Sequence, residues 1–184
     1  VVQSFHPVKT ITTGEGGAVL TNDRKVSESL KLYRNHCIIK NKNESWDYNI
    51  KEIGFNFRIT DLQCAIGIAQ IKKIYKFLSI RRKISKLYIK LLSKNDNFVL
   101  PKLSKSFSSG FHLFPIQIKN LKYKNKNKLF KFFQKNGFKL QVHYKPIILQ
   151  DYYKKKYKLK SKNFKNAINF YKLSISAPIF PELK

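Results

Sequence analysis

The sequence predicts an α/β protein in which short strands alternate with amphipathic helices. Apolar residues recur at helical spacing over several stretches, and short apolar runs bounded by Gly, Pro, Asn or Ser lie between them. Apolar residues make up 42% of the chain, which is enough for a hydrophobic core. Because strand, helix and strand follow one another after residue 95, we expect a small α/β lobe behind the first part of the chain.

The start of the chain predicts a glycine-rich turn, a strand, a helix and a loop. Three glycines in residues 14–17 indicate a tight turn or a close approach of the backbone. Residues 18–21 follow as a strand, and Asp23 is placed to cap a helix that reaches about Cys37. Residues 40–52 are polar with a single Trp, so we expect a loop there.

Residues 54–60 alternate apolar and polar side chains, which predicts a strand. The alternation defines two faces, one with Phe55, Phe57 and Ile59 and the other with Asn56, Arg58 and Thr60. Thr60 and Gln63 then have the spacing of a capping box. One long helix is expected from residue 61 to about residue 93, with a kink where the apolar pattern breaks near Lys73 and Ile80.

The remainder of the chain predicts strands and helices in alternation. Residues 111–118 contain Pro115, which lacks a backbone donor, so this strand is expected at a sheet edge or with a bulge. The expected elements are a strand at 98–100, a loop at 102–109, a strand at 111–118, a helix at 126–136 ended by Gly137, a strand at 138–144, a helix at 163–172 and a tail with two prolines at 175–182.

The charge and the cysteine content exclude several classes of protein. The chain has 38 basic and 10 acidic residues, a formal net charge of +28, which indicates contact with anions. Two cysteines, Cys37 and Cys64, are too few for a disulfide scaffold or a cysteine-rich zinc module. No apolar run approaches the ~18 residues of a membrane span. We therefore expect a protein of the reducing cytoplasm with no metal site and no membrane partner.

A nucleic-acid-binding module is the alternative that the charge leaves open. Residues 152–158 interleave tyrosines with lysines, and such tracts bind phosphate backbones. The lysines are, however, spread over the whole chain, and no RNP, KH, OB or zinc pattern is visible. A lysine-rich source genome explains the charge without a nucleic-acid ligand.

The densest group of candidate functional residues lies at positions 4–18. Lys9 stands here among Ser4, a run of threonines and the glycines. A lysine beside small hydroxyl residues and flexible backbone can form a Schiff base with a carbonyl compound once its amine is neutral. Spacing alone leaves a second interpretation open, in which Lys9 is one of many surface lysines.

Two further pairs of residues are candidates for ligand contacts. Asn56 and Arg58 share the polar face that leads into a helix N-terminus, a favourable place for an anion. An ion pair with a nearby carboxylate remains the alternative for Arg58. His143 and Tyr144 end a predicted strand, where they either close over a ligand or form a packed aromatic pair.

Four ordered segments resemble motifs of the DegT/DnrJ/StrS-type sugar aminotransferases. The first is S-F-H-x-x-K at 4–9 with T-T-G-E-G-G-A at 12–18, which resembles the segment that carries the cofactor lysine. The others are G-F-N-F-R at 54–58 with Gln63, Ala65 and Gly67, Q-V-H-Y-x-P at 141–146, and S-A-P-I-F-P at 176–181. Because these motifs cover most of the chain in the family's order, the resemblance is specific.

The resemblance implies an α/β fold of the aspartate-aminotransferase type (fold type I) and pyridoxal 5′-phosphate (PLP) as the cofactor. Lys9 would be the catalytic Schiff-base lysine, and Ser4 would bind the cofactor phosphate. Asn56 would reach the phosphate of the neighbouring subunit in a homodimer with shared active sites. The residues expected to face the substrate are Arg58, His143 and Tyr144.

The resemblance also implies the reaction and the extent of the enzyme. L-Glutamate would donate an amino group to C4 of a UDP-linked 4-keto-6-deoxy sugar; family members that dehydrate sugars carry His in place of the lysine, so Lys9 favours transamination. Residues 1–75 would be the remainder of the large PLP-binding domain, and residues 76–184 most of the small C-terminal domain. The family's ring-nitrogen Asp, stacking aromatic and phosphate loop lie upstream of the lysine, and its last helix follows the F-P segment. We therefore expect a C-terminal half that is inactive by itself.

Overall fold

The computed structural model describes residues 1–104 and 106–183 and divides into two compact units, Val1–Ile74 and Tyr75–Lys184. The boundary lies one residue before the end of the first domain expected from the sequence. Lys105, inside the loop predicted at 102–109, lies outside the described residues.

The first unit contains two antiparallel hairpins and two helices among its described residues. Their bounds are β1 (Val2–Ser4), β2 (Gly17–Val19), α1 (Arg24–Arg34), β3 (Ile38–Lys40), β4 (Tyr48–Ile50) and α2 (Asp61–Ile71).

The first hairpin and the helix after it follow the sequence pattern closely. β2 falls within one or two residues of the strand expected at 18–21 and pairs with β1 at the very start of the chain. The carboxylate of Asp23 accepts hydrogen bonds from the backbone amides of Lys25 and Val26, so the predicted helix cap is confirmed. α1 ends earlier than expected, because His36 and Cys37 both adopt positive φ angles of 59° and 52°.

The loop predicted at 40–52 is wrong in part, because this segment contains most of the second hairpin. β3 and β4 pair in register from Ile38 opposite Ile50 to Lys40 opposite Tyr48. The two strands are short and mostly exposed. The polar composition therefore did not predict these strands. An exposed hairpin buries no apolar face, so its sequence lacks the alternation of apolar and polar residues that indicates a strand.

The strand predicted at residues 54–60 is also wrong. The backbone amides of Phe55 and Phe57 donate to the carbonyls of Tyr33 and Arg34 at the end of α1, at 2.8 and 2.9 Å. The segment thus takes its hydrogen bonds from a helix end rather than from a neighbouring strand. The alternation of faces survives nonetheless, because the Phe55 and Phe57 rings stack with their centroids 4.8 Å apart.

The long helix predicted from residue 61 to about 93 is divided in two. α2 ends at Ile71, and α3 begins at Ile74, so the predicted kink near Lys73 is a complete break. The start of α2 is as predicted. Thr60 and Gln63 form a capping box in which each side chain binds the backbone of the other residue.

The second unit packs helices against one small antiparallel sheet in its described part. The sheet order is β5-β6-β7. The bounds are α3 (Ile74–Leu92), β5 (Phe98–Val99), β6 (Phe114–Ile118), α4 (Tyr123–Lys135), α5 (Asp151–Tyr157), α6 (Lys165–Leu173) and β7 (Ser174–Ala177), with short 3₁₀ helices at Ile147–Leu149 and Ser161–Phe164.

The strand predicted at 111–118 is shorter and is central rather than at a sheet edge. Pro115 lies opposite Ser176 of β7, and β5 covers only Gln117 and Ile118 on the other side. Both backbone groups of Ser176 bind Gln141 instead, so the Pro115–Ser176 pair is a non-hydrogen-bonded one. The proline therefore costs the sheet no ladder hydrogen bond.

Three further expectations for the second unit need correction. The strand at 138–144 is reduced to an isolated bridge between Gln141 and Ser176. The tail at 175–182 was expected to be irregular because of its two prolines, but its first residues belong to β7, which pairs with the full length of β6 apart from Ile118. α5 was not expected, because its sequence is dominated by Lys and Tyr and carries no apolar stripe.

The hydrophobic core of the second unit lies between the sheet and the helices α3 and α4. Its buried members are Phe111, Phe114, Ile116, Leu140, Ile175 and Ile179. Arg81 of α3 is buried beside them and donates to the carbonyls of Phe111 and Ile179 at 3.2 and 2.7 Å. Burial lowers the pKa of this guanidinium, and the two carbonyls compensate part of its lost hydration.

Neither a membrane helix nor a metal cluster occurs in residues 1–104 and 106–183. No helix there is long and apolar enough to cross a bilayer. No three His, Cys, Asp or Glu side chains come close enough together to hold a metal ion.

Candidate active site

The first hairpin holds Lys9 on a closed loop. Beyond β1 and β2, the Phe5 amide donates to the Gly16 carbonyl at 2.9 Å, and the Thr13 amide donates to the Phe5 carbonyl at 3.0 Å. The loop between them turns at residues 6–9, where the Lys9 amide donates to the His6 carbonyl at 2.9 Å. Lys9 is half-buried. Its backbone is therefore fixed at both ends of a short turn.

The threonines of this loop bind its backbone internally. Thr12 Oγ1 donates to the Phe5 carbonyl at 2.8 Å and accepts from the Gly14 amide at 2.9 Å. Thr13 Oγ1 donates to the Glu15 carbonyl at 2.7 Å, and Thr13 is only 4% exposed. The hydroxyl residues that made this segment a candidate site thus hold residues 5–16, which we call the lysine loop, in a fixed conformation.

Two glycines of the loop are required by close packing. A Cβ at Gly16, whose φ is +152°, would lie 2.5 Å from Thr13 Oγ1. A Cβ at Gly17 would lie 2.7 Å from the Gln3 carbonyl oxygen. Both approaches are too short for any side chain, so this part of the glycine pattern has a local structural cause.

Gln63 connects the lysine loop to α2. Its Nε2 donates to the Glu15 carbonyl at 2.9 Å, while its Oε1 accepts from the Thr60 amide at 3.0 Å. One amide side chain therefore completes the helix cap and anchors the loop. Because Thr60 stands two residues after the G-F-N-F-R segment at 54–58, this contact brings two of the sequence motifs into one cluster.

Ser4 and His6 flank the loop on its exposed side. Ser4 Oγ accepts a long hydrogen bond of 3.4 Å from the His6 amide, which leaves the hydroxyl proton available to an anion. His6 Nε2 lies 3.7 Å from the Glu15 carboxylate, an ion pair when the imidazole is protonated. The His6 and Glu15 side chains are both solvent-exposed, so the pair contributes little to stability.

Asn56 and Arg58 lie exposed on the segment that leads into α2. An isolated backbone bridge pairs Asn56 with Asn35 at the end of α1. Arg58 Nη1 donates to Asn35 Oδ1 at 2.7 Å. The partner of the guanidinium is thus a neutral amide. Within residues 1–104 and 106–183 no carboxylate forms an ion pair with it, so its positive charge stays available to a ligand.

His143 and Tyr144 belong to the second unit, after the residue that bridges to β7. Their rings meet edge to face with centroids 4.7 Å apart. Tyr144 is exposed, whereas His143 is half-buried and its Nδ1 lies 2.8 Å from Ser176 Oγ. Burial lowers the pKa of His143, so the neutral ring is favoured.

Two residues of these clusters make long-range contacts that the sequence pattern did not predict. Gln63 was expected only to cap α2, and its contact with Glu15 spans 48 residues. Ser176 stands in the S-A-P-I-F-P motif, and its contact with His143 spans 33 residues. Neither contact has a local signature, so only the motif positions pointed to these side chains.

Comparison with known proteins adds to this geometry. The sequence profile of the DegT/DnrJ/EryC1/StrS aminotransferase family matches residues 1–184. The UDP-4-amino-4,6-dideoxy-N-acetyl-beta-L-altrosamine transaminase of Campylobacter jejuni is 41% identical over 180 residues, covering 98% of this chain and 47% of the relative. The transaminase of the same name from Helicobacter pylori is 36% identical over 183 residues, covering 99% of this chain and 48% of the relative.

A solved structure supports the same similarity in three dimensions. Helicobacter pylori PseC, an aminotransferase involved in the biosynthesis of pseudoaminic acid, matches with a TM-score of 0.91 and 34% identity. The match covers 100% of this chain and 48% of that one. The chain thus spans about half the length of the curated relatives it matches, and the alternative of a nucleic-acid-binding module has no support in these findings.

Proposed function

The chain belongs to the DegT/DnrJ/EryC1/StrS aminotransferase family, and we propose that the protein containing it transfers an amino group from L-glutamate to C4 of a UDP-linked 4-keto-6-deoxy-N-acetylhexosamine. The observation that carries the proposal is the 41% identity to the Campylobacter jejuni transaminase across 98% of the chain. That relative's name describes a UDP-linked sugar aminated at C4. A place in pseudaminic acid biosynthesis follows from the similarity to PseC.

The side chains of the first unit fit PLP, the cofactor of this family. The lysine loop offers a primary amine, Lys9, which can bind the cofactor's aldehyde covalently. Ser4 offers a hydroxyl proton to the phosphate, and Asn56 offers amide donors. When bound, PLP supplies an electron sink that makes the carbon next to the nitrogen acidic.

Lys9 Nζ is the group to which we assign proton transfer. Its backbone is fixed by the turn to His6 and by the frame that Thr12 and Thr13 give to the loop. With the cofactor and substrate bound, this amine would take the proton as a general base and return it as a general acid. No second titratable group is needed for these two transfers.

We assign the remaining site residues to binding. Arg58, with its exposed guanidinium held by Asn35, would pair with an anionic group of the substrate. His143 and Tyr144 would contact the sugar nucleotide through their paired rings. Asn56, exposed on its segment, would reach the phosphate in the partner subunit of a homodimer. A cytoplasmic location accords with the two free thiols, Cys37 and Cys64.

Covalent labelling tests the proposal in the complete polypeptide loaded with PLP. Borohydride reduction should fix the cofactor to the peptide that carries Lys9, as read by mass spectrometry. Lys9→Arg should abolish this label and lower amino transfer from glutamate at least about a hundredfold, since a general base is lost. Lys25→Arg, an exposed lysine of α1, is the matched control and should change neither. Undiminished transfer in Lys9→Arg would overturn the proposal.

A further inference from the structure

Ser176 contacts a residue of the proposed substrate site. Its Oγ lies 2.8 Å from His143 Nδ1, and Ser176 itself is 5% exposed. Alternate side chains of a strand point to opposite faces, so Ser176 shares one face of β7 with Ser174, while Ile175 lies on the other face in the core. The hydroxyl is therefore buried beneath the imidazole rather than in the hydrophobic core.

The backbone of Ser176 is fixed on both sides. Its amide donates to the Gln141 carbonyl at 2.7 Å, and its carbonyl accepts from the Gln141 amide at 3.4 Å. On the other side it lies opposite Pro115 in the sheet. Because the Ser176 backbone is held on both sides, its hydroxyl has few positions available. Gln141, which holds it, stands only two residues before His143. The sheet thus determines where the ring nitrogen of His143 can lie.

We propose that Ser176 is a positioning residue that holds the imidazole of His143 by Nδ1 and directs Nε2–H toward the bound sugar nucleotide. The proposal rests on the substrate-binding role proposed for His143. Nδ1 and Nε2 lie on opposite sides of the ring, so a bond to β7 through Nδ1 turns Nε2 away from the sheet.

The direction of the hydrogen bond follows from burial. A buried hydroxyl gains most when its proton is placed on an acceptor within reach, because an unmade hydrogen bond in the interior is costly. Nδ1 of a neutral imidazole is the acceptor within reach, at 2.8 Å. When Ser176 donates to Nδ1, the ring proton is on Nε2. His143 then offers a donor, which suits the oxygen atoms of a sugar or a diphosphate.

The first test compares Ser176→Ala with Ser174→Ala in the complete, PLP-loaded enzyme. Ser174 is the matched control, since it lies on the same face of the same strand, is 2% exposed, and has no hydrogen-bond partner for its Oγ among the described residues. We expect Ser176→Ala to raise KM for the sugar nucleotide about fivefold to tenfold. The kcat of the half-reaction in which glutamate donates its amino group should be unchanged. Ser174→Ala should leave both unchanged. Equal losses in the two variants would show a merely structural role and overturn the proposal.

The second test reads the ring directly by nitrogen-15 NMR of histidine-labelled enzyme, with the His143 signals identified through His143→Gln. We expect an unprotonated Nδ1 and a protonated Nε2, with that preference lost in Ser176→Ala. A protonated Nδ1, or no change in Ser176→Ala, would overturn the proposal. Failure of the proposed function would show instead as absent amino transfer and no label on Lys9 in the unsubstituted enzyme, so the two failures are distinguishable.

Discussion

Gln63 is the residue whose two hydrogen bonds can be separated by substitution. Gln63→Glu keeps an oxygen for the Thr60 amide but loses the donor to the Glu15 carbonyl, whereas Gln63→Ala loses both. Glu is as good as Gln at this position of a capping box. We therefore expect Gln63→Glu to weaken PLP retention by the complete enzyme several-fold with thermal stability nearly unchanged. Gln63→Ala should in addition lower stability by about 0.5–1 kcal/mol.

Cofactor retention during dialysis and thermal unfolding measure these two effects independently. Gln70→Glu, in the same helix, is the control for an added carboxylate, and it should leave PLP retention unchanged. Equal PLP retention in the unsubstituted protein and in Gln63→Glu would contradict the anchoring role. It would mean that the threonine frame alone holds the lysine loop.

At the scale of elements, the sequence predicted helices more reliably than strands. The cap at Asp23 and the capping box of Thr60 depend on neighbours within four residues, and both form as expected. The strands at 54–60 and 138–144 have the right alternation but lack a continuous partner strand, and a strand exists only where a partner does. β3 and β4 pair with each other but bury no face of the hairpin, so their sequence shows no alternation of apolar and polar residues that would predict strands.

The functional residues show the same division between local and distant information. Lys9 and the loop around it were recognisable as one ordered motif, and the structure closes that motif into one loop. The contacts of Gln63 with Glu15 and of Ser176 with His143 join residues 48 and 33 positions apart. Such contacts depend on how elements pack, which no pattern within a single segment records.

Lys126 stabilises the junction between two elements of the second unit. It is buried in α4, and its Nζ donates to the carbonyls of Tyr171 and Lys172 at 2.6 and 3.4 Å, near the end of α6. A cation at the C-terminal end of a helix also interacts favourably with the helix dipole. Burial lowers the pKa of the Lys126 amine, so this position carries a desolvation cost that the two carbonyls offset.

Lys126→Met should keep the packing of the aliphatic stem and remove the two hydrogen bonds. We expect the free energy of unfolding to fall by roughly 1–3 kcal/mol, because the carbonyls at the end of α6 lose a buried donor. Lys128→Met, an exposed lysine of the same helix, should change it by less than about 0.5 kcal/mol. Urea denaturation of both variants measures the two free energies of unfolding. Equal stabilities would mean that relief of desolvation cancels the lost bonds.

At the scale of the whole 184-residue chain, the described hydrophobic core belongs to the second unit. Phe114 is 0% exposed and lies in a cluster with the neighbouring strand and with helices α3 and α4. In the first unit, large apolar side chains such as Trp46 and Leu62 are 78% and 80% exposed. Local stability depends on the apolar surface that a region buries, so the two units should resist opening unequally.

Amide hydrogen exchange on the 184-residue chain tests this inequality. The amides of β6 and β7 should exchange slowest, and those of the β1–β2 and β3–β4 hairpins fastest, because opening a hairpin exposes little additional apolar surface. Phe114→Ala should reduce protection of β6 and β7 by about 3–5 kcal/mol. Phe132→Ala, which truncates a ring that is 62% exposed, should leave protection nearly unchanged. Hairpin amides as well protected as those of β6 would contradict this account, because they would require buried contacts that the first unit does not make within its described residues.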